Sequence, residues 1–522
     1  MQHKSIAKSA GIIGFATLVS RVLGFVRDIT IAWLFGTAIY AQAFVVAFRI
    51  PNLLRDVVGE GATNAAVIPV LSQYKVNHTK EEFWKTVGNL FNVIFVILAV
   101  ISVLGVLFSP FIVRAIAPGF IAEPDKLEAT IKLTRIMFPY ILLIGLTAFF
   151  MGLLNSCKHF AVPAFGPAVL NICIIVSAWF FSSKLEEQAL SLAIGVMAGG
   201  VMQLLMNVPV LMKKGFVFSK KLDFKDEVAK KTKNLLIPRV MGSCIYQMNI
   251  FVDTIVASLS GIVGAGGVAA LYYSNRLVQF PMAIFGSSVA QAALPAMSDH
   301  AATNDIDKLK KTLSFSLRAV LFIAIPSSIG LMILAKPIVT ILFQRGKFDA
   351  YSADITSAAL VFYSIGLFAY AGVKVLVSCF YSMHDTMTPV KTAGACLFVN
   401  IVLNLALMFP LKIGGLALAT SISAILNFVI LTKLLSKKLD GIGAREIRTT
   451  VIKVVIASAI MGIVCWFFSK NLTSSVKNYS AAIKIIRLFI PILLSVIVYI
   501  ASCFALKVKE MRTALEWISR KK

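Results

Sequence analysis

The chain has 522 residues, 58% of them hydrophobic and 14% charged, with a mean hydropathy of +0.85. A water-soluble protein of this length needs far more polar surface, so the composition excludes that class and indicates a polytopic membrane protein. The net charge of +27 does not indicate nucleic-acid binding, because the basic residues concentrate in short loops between apolar runs.

The runs have the length of membrane-spanning helices and lack the alternation of β-barrel strands, so an all-α fold is expected. In chain order, hydropathy predicts about fourteen spans: 9–36, 40–74, 84–116, 130–156, 162–183, 188–212, 231–260, 267–297, 312–344, 353–382, 388–409, 413–436, 449–469 and 482–506. The start, "MQHKSIAK" followed by an apolar run, reads as a retained first helix. The run is too long for a signal peptide and carries arginines. The second segment is too long for one plain span, and Pro51 is expected to kink it. The loop at 213–233, "KKGFVFSKKLDFKDEVAKKTK", holds eight lysines against three acids. The loops at 75–85, 305–311 and 433–448 and the tail from Lys507 are also basic, whereas "APGFIAEPDKLEA" is acidic and "SGIVGAGGV" is uncharged. Lysine and arginine mark the cytoplasmic side, which places both termini in the cytoplasm.

"AVIPVLS" at 66–72 and "AALPAMS" at 292–298 put Pro69 and Pro295 226 residues apart. "NSCKHFAVP" and "YSMHDTMTP" put Pro163 and Pro389 at the same offset, and "FV" at 25–26 recurs at 251–252. The division expected is a six-helix lobe over 1–225, a second over 226–445, and a further helix pair with a tail over 446–522. Six spans per copy give both copies the same orientation, as in transporters built from parallel repeats.

No GxxxxGK[ST] motif occurs, and the five histidines (3, 78, 159, 300, 384) lie near predicted span ends or in loops. Ser298-Asp299-His300 is adjacent in sequence, which is no evidence of a triad. The seven cysteines are scattered without a CxxC pair, so they read as small core residues rather than disulfides or metal ligands. No enzymatic activity and no firm metal site are expected.

The chemistry lies in charges placed inside apolar segments. "RVLGFVRD" at 21–28 and "RIPNLLRD" at 49–56 repeat one pattern: Arg21, Arg27, Asp28, then Arg49, Arg55, Asp56. A charge at the bilayer centre costs roughly 2.5–3.5 kcal/mol on insertion scales, so such residues face a bundle interior or an aqueous cavity. Arg21 and Asp28 share a helix face, while Arg27 lies about 100° round from its aspartate. One reading is an ion-pair lattice joining the first two helices. The four arginines nevertheless outnumber Asp28, Asp56 and Glu60. In the second half, Arg239, Asp253, Arg276 and Lys374 also fall within spans, and "YYSNRLVQFP" has no acid near Arg276. Surplus guanidinium groups lining a cavity suit a phosphate or pyrophosphate, whose oxygens match the arginine fork. "GEGATNAA" at 59–66 breaks the helical pattern, as backbone that lines a cavity can. Asp253, Asn400, Asn404 and Thr420 could supply oxygen ligands to a sodium ion; interhelical hydrogen bonds are the other reading.

"SRVLGFVRD", "AFRIPNLLRDVVGEGA", "IPVLSQY", "FPYILLIGL", "YYSNRLVQFP", "FQRGKFD" and "TPVK", in this order, resemble the MurJ (MviN) family of lipid II flippases. That family belongs to the multidrug/oligosaccharidyl-lipid/polysaccharide exporter superfamily. The resemblance implies two six-helix lobes in a V plus two C-terminal helices that help form a groove for a lipid tail. It implies a substrate, undecaprenyl pyrophosphate carrying a disaccharide-pentapeptide, moved between leaflets of the bacterial inner membrane for peptidoglycan synthesis. The family's essential cavity arginines fall on Arg21, Arg27, Arg55 and Arg276, with a further basic position at Arg49. This chain departs from its relatives at Gln42 and Gln279, where they carry acids, so an acid-dependent role there is not carried over. The expected partners are lipid II, membrane lipid and the cell-wall synthesis machinery, with no nucleic acid and no cofactor beyond sodium or the membrane potential. The alternatives are an exporter of another polyprenyl-linked oligosaccharide or of drugs, and a membrane-embedded interaction partner without transport.

Overall fold

A computed structural model describes residues 2–54, 70–74, 76–157, 159–219, 221–473 and 481–511, with no strand among them. Arg55, Asp56, Glu60, "GEGATNAA" and Pro69 lie outside the described residues. Several helix starts are written locally in the sequence. Thr79 and Glu82 form a reciprocal capping box at Lys80–Leu107, and Asp226, Asp305 and Asp349 each accept from backbone amides at the starts of later helices.

Two compact units result, Met1–Leu259 with Arg345–Phe348, and Ser260–Gln344 with Asp349–Lys522. The first contains α1 (Gln2–Phe35), α2 (Ile39–Leu54), α3 (Lys80–Leu107), α4 (Ser109–Ile116), α5 (Pro124–Met137), α6 (Tyr140–Ser156), α7 (Ala161–Phe181), α8 (Leu190–Lys214) and α9 (Glu227–Ala257). Here α7 packs against α1 and α8, α2 against α5, and α6 against α3 and α8. Val87, Leu90, Phe149, Phe150, Leu153 and Leu211 form one of its cores. α2 runs through Pro51.

The second unit contains α10 (Gly267–Pro281), which continues through a π-helical turn, Met282–Ser287, into α11 (Ser288–Ala302). Then come α12 (Ile306–Phe343), α13 (Ala350–Ile365), α14 (Leu367–Ser382), α15 (Met387–Lys438), α16 (Ala444–Thr473) and α17 (Ala481–Ala505). α15 is two helices joined at Lys412, whose φ of 49° breaks the helical path just after Pro410. α16 packs on α12 and α17. Leu321, Val454, Ala457 and Cys503 fill that seam, and Arg318 reaches Glu510 at 3.1 Å. The outward residues of the pair, such as Ile463, Trp466, Phe489 and Leu493, are more than half exposed, as hydrocarbon-facing side chains are.

Among the described residues, nine helical runs are long and apolar enough to cross a membrane, and α13–α14, bent by 45°, is a tenth candidate. α15 is one of the nine although it spans two expected segments. α1, α2 and α9 are not among them; they carry Arg21, Arg27, Asp28, Arg49, Arg239 and Asp253. The protein is thus an all-helical polytopic membrane protein whose helices coincide with the expected segments.

The offset of 226 recurs in the helix boundaries. α3, α5 and α7 start at Lys80, Pro124 and Ala161; α12, α13 and α15 start at Ile306, Ala350 and Met387, each 226 residues later. Pro163 and Pro389 are therefore both the third residue of a helix. Two long-range contacts occur inside the first unit. The Gly119 amide donates to Ser258 Oγ at 3.0 Å, and the Lys347 amide donates to the Trp33 carbonyl at 2.9 Å. Gly346 makes the second approach feasible: its φ is +58°, and a Cβ there would overlap Trp33.

Candidate substrate-binding arginines

The six residues from Arg21 to Arg27 cover about 9 Å along α1 at 1.5 Å per residue. Arg21 is exposed, whereas Arg27 and Asp28 are 4% and 0% exposed. Arg27 Nε and Nη2 both donate to Asp28 Oδ1, at 3.0 and 2.7 Å. Its Nη1 donates to Asn171 Oδ1 on α7 at 3.0 Å, and Asn171 Nδ2 donates onward to the Ser20 carbonyl at 3.1 Å. The three methylenes of arginine let its head swing sideways to a neighbour that i,i+1 spacing alone would not pair. Asn171 closes the cluster and was not singled out from sequence. Its signal was a lone amide in the apolar run "PAVLNICIIVSA".

Arg49 is half-buried on α2, which packs against α1. Gln42, about two turns earlier, is 3% exposed. The first unit thus holds one exposed, one half-buried and one fully packed guanidinium, with Arg55 outside the described residues.

In the second unit Arg276 is half-buried on α10, its Nη1 3.5 Å from Gln279 Oε1. Gln279 Nε2 donates in turn to Asn275 Oδ1. Lys374 is half-buried on α14. Of the sodium candidates, three come together. Asn404 Nδ2 donates to Asn400 Oδ1 at 3.0 Å, and Asn400 Nδ2 faces Thr420 Oγ1 at 3.4 Å. Asn400 and Asn404 are 1% and 0% exposed. Asp253 lies on α9, a helix of the other unit, and is half-buried. No group of three or more His, Cys, Asp or Glu side chains able to hold a metal occurs among the described residues.

The family model for lipid II flippase MurJ matches residues 31–486. The chain belongs to the MurJ family. It is 35% identical over 506 residues to a probable lipid II flippase MurJ of Buchnera aphidicola subsp. Schizaphis graminum, covering 97% of this chain and 98% of that protein. It resembles a solved structure of lipid II flippase MurJ in an inward closed conformation, with a TM-score of 0.78 and 27% identity over 95% of this chain and 99% of that one. An inward-facing multidrug resistance MATE family transporter of the MOP superfamily is 12% identical, with a TM-score of 0.68 over 81% of this chain and 94% of that one. The latter likeness shows a common fold. MurJ is a family of flippases rather than of catalytic enzymes.

Proposed function

We propose that this chain is a lipid II flippase of the bacterial cytoplasmic membrane, with both termini in the cytoplasm. It carries the undecaprenyl-pyrophosphate-linked disaccharide-pentapeptide from the inner to the outer leaflet. The observation that supports this reading most is MurJ family membership extending over residues 31–486. The chemistry of its charges agrees. A pyrophosphate crossing hydrocarbon needs cationic donors that remain charged at low dielectric, and guanidinium groups do. Arg21, Arg49 and Arg276, which are exposed or half-buried, make first contact in this mechanism, with Arg55 joining them. Arg27 enters differently. Asp28 and Asn171 hold it oriented, and it exchanges a carboxylate oxygen for a phosphate oxygen as the substrate arrives.

The cycle is alternating access between lobes 1–225 and 226–445, with the helix pair of 446–522 guiding the lipid tail. Outward movement of an anion gains roughly 2.3 kcal/mol per charge for each 100 mV of inside-negative potential. Sodium bound by Asn400, Asn404, Thr420 and Asp253 is the second energy source in this reading. Surplus guanidinium charge disfavours a cationic drug as substrate.

The test measures lipid II accessible at the outer leaflet of cells depleted of their own flippase. The cells express the intact chain, or Arg21→Ala, Arg49→Ala or Arg276→Ala. The intact chain restores accessibility, and each inserted variant lowers it at least about tenfold, the loss of one charge-assisted contact. Restoration by all the variants would overturn the arginine mechanism. No restoration by an inserted intact chain would overturn the substrate.

A further inference from the structure

Residues 215–219 and 221–226, between α8 and α9, are without helix, yet they are not slack. α8 ends at Gly215, whose φ of +102° turns the chain. Phe216 then buries itself against Trp84 and Phe150, with ring centroids 6.0 and 5.6 Å away. Asn92 Nδ2 on α3 donates to the carbonyls of Ser219 and Lys221 at 2.7 and 2.8 Å. Asn89, 1% exposed, grips Asp223 at two points: its Nδ2 donates to the Asp223 carbonyl at 3.0 Å, and its Oδ1 accepts the Asp223 amide at 2.7 Å. Two asparagines one turn apart thus strap this segment along α3.

What the strap presents is unusual for a solvated loop. Val217, Phe218, Leu222 and Phe224 are 67%, 53%, 49% and 51% exposed. Exposed lysines stand among and beside them. The nearby acids are already engaged: Asp223 with Lys221 at 3.5 Å, Glu227 with Lys231 at 2.9 Å, and Asp226 as the cap of α9. Lys213, Lys214 and Lys225 have no acid partner among the described residues. The apolar side chains continue the outer face of α3. Phe218 meets Phe91 at 5.5 Å, and Phe91 stacks on Phe95, which is 42% exposed. A surface that is apolar toward the hydrocarbon face of a membrane helix and cationic beside it matches a phospholipid where headgroup meets acyl chain.

We infer that residues 213–219 and 221–226 form a binding site for an anionic phospholipid of the surrounding bilayer. Lys213, Lys214 and Lys225 take the phosphate, and Val217, Phe218, Leu222 and Phe224 take the upper acyl chain. The site is held open by Asn89 and Asn92 and is separate from the arginines of α1 and α2.

The full chain in nanodiscs of phosphatidylcholine doped with phosphatidylglycerol tests this, with retained lipid counted by native mass spectrometry. Nanodiscs present both faces, so membrane orientation does not enter. Lys213→Gln/Lys214→Gln/Lys225→Gln should lower phosphatidylglycerol retention at least about tenfold, since juxtamembrane lysines each contribute severalfold to anionic-lipid affinity. Lys311→Gln/Lys433→Gln/Lys437→Gln removes the same charge from another basic stretch and should leave retention within about twofold. Asn89→Ala keeps every lysine but loosens the strap, and it should also lower retention. Equal losses in both lysine triples would overturn the site in favour of diffuse charge attraction. Unchanged retention in the strap triple, or in Asn89→Ala, would overturn it in favour of a solvated basic loop.

Discussion

Asp28→Asn tests the packed arginine most directly. The substitution keeps the side chain's shape and removes the carboxylate charge that faces the buried Arg27 guanidinium. Arg27 donates twice to a single oxygen, Asp28 Oδ1, and once to Asn171, and both Arg27 and Asp28 are almost wholly enclosed. Breaking one side of a buried pair costs about 3–5 kcal/mol, because the remaining charge keeps its desolvation penalty without its partner. Removing both charges with apolar groups of similar volume is close to neutral. Asp28→Asn should therefore lower the temperature of half-aggregation in detergent markedly, and Arg27→Met/Asp28→Leu should recover most of that loss. A coupling of about 2 kcal/mol or more in the double-mutant cycle is expected. The double variant should still fail to flip lipid II, because it lacks the guanidinium. A single variant as stable as the unmodified chain would refute the burial argument. A stable double variant that flips lipid II normally would show that Arg27 is structural in both senses.

Three other outcomes follow from local geometry. Asp385 is held below the usual carboxylate range, first by the hydrogen bond from the Lys438 ammonium at 2.6 Å and then by Thr388. As pH falls, the unfolded chain takes up this proton first, near 3.9. The contribution of the pair is thus complete above that value and declines as pH drops toward the lowered folded value. Lys438→Met should flatten the pH dependence of thermal stability across that interval, lowering stability at neutral pH and leaving it nearly unchanged below the folded value. Gly346→Val should destabilise the first unit by about 1–3 kcal/mol, since the valine meets both an unfavourable positive φ and Trp33, and Gly346→Ala should cost less in the same thermal scan. Asn89→Ala orphans the Asp223 amide and carbonyl at a cost of about 1–3 kcal/mol. Limited proteolysis should then cut within 215–226 at lower protease concentration than in the unmodified chain.

The fold was legible because lipid leaves a chain few options. Backbone groups must pair within the segment, so apolar length predicts a helix, and all the expected segments have one, the second as far as Leu54. Partner choice was less legible. Pattern reasoning put Asp28 on the face of Arg21, two turns away, while the side-chain length of Arg27 allowed the adjacent residue to take it. Helix periodicity locates a Cβ, but a guanidinium lies several ångströms beyond it. Asn171 was missed for a related reason: a single amide in an apolar run acquires meaning only when its helix packs against α1. Residues 213–233 were legible as a charge count alone. Whether their aromatics face a core or the outside depends on amides at 89 and 92, more than a hundred residues earlier in the chain.

The repeat separates what was duplicated from what was specialised. Helix starts recur at 226 residues to the residue in three cases, so the positions at which these helices begin are common to both copies. The charged residues do not recur. At the same offset Arg21 faces Gln247, Arg27 faces Asp253, Asp28 faces Thr254 and Arg49 faces Asn275. In the other direction Arg276, Asn400, Asn404 and Thr420 correspond to Ile50, Ile174, Ala178 and Ile194. A scaffold requirement would act on both copies alike, because both must satisfy the same backbone and bury the same kind of helix face. Side chains whose charge or polarity differs between the copies, inside apolar helices where each carries a solvation cost, are therefore not demanded by the architecture. Arg21, Arg27 and Arg49 have no basic counterpart in the second copy, and Asn400, Asn404 and Thr420 have no polar counterpart in the first. That asymmetry suits a transporter in which arginines mainly of the first lobe, joined by Arg276, read an anion while the second lobe reads a cation. It predicts that transplanting Asn400, Asn404 and Thr420 to apolar residues should remove any sodium dependence while leaving pyrophosphate affinity intact. Arg21→Ala and Arg49→Ala should do the reverse, and a shift of both affinities by either set would contradict the division.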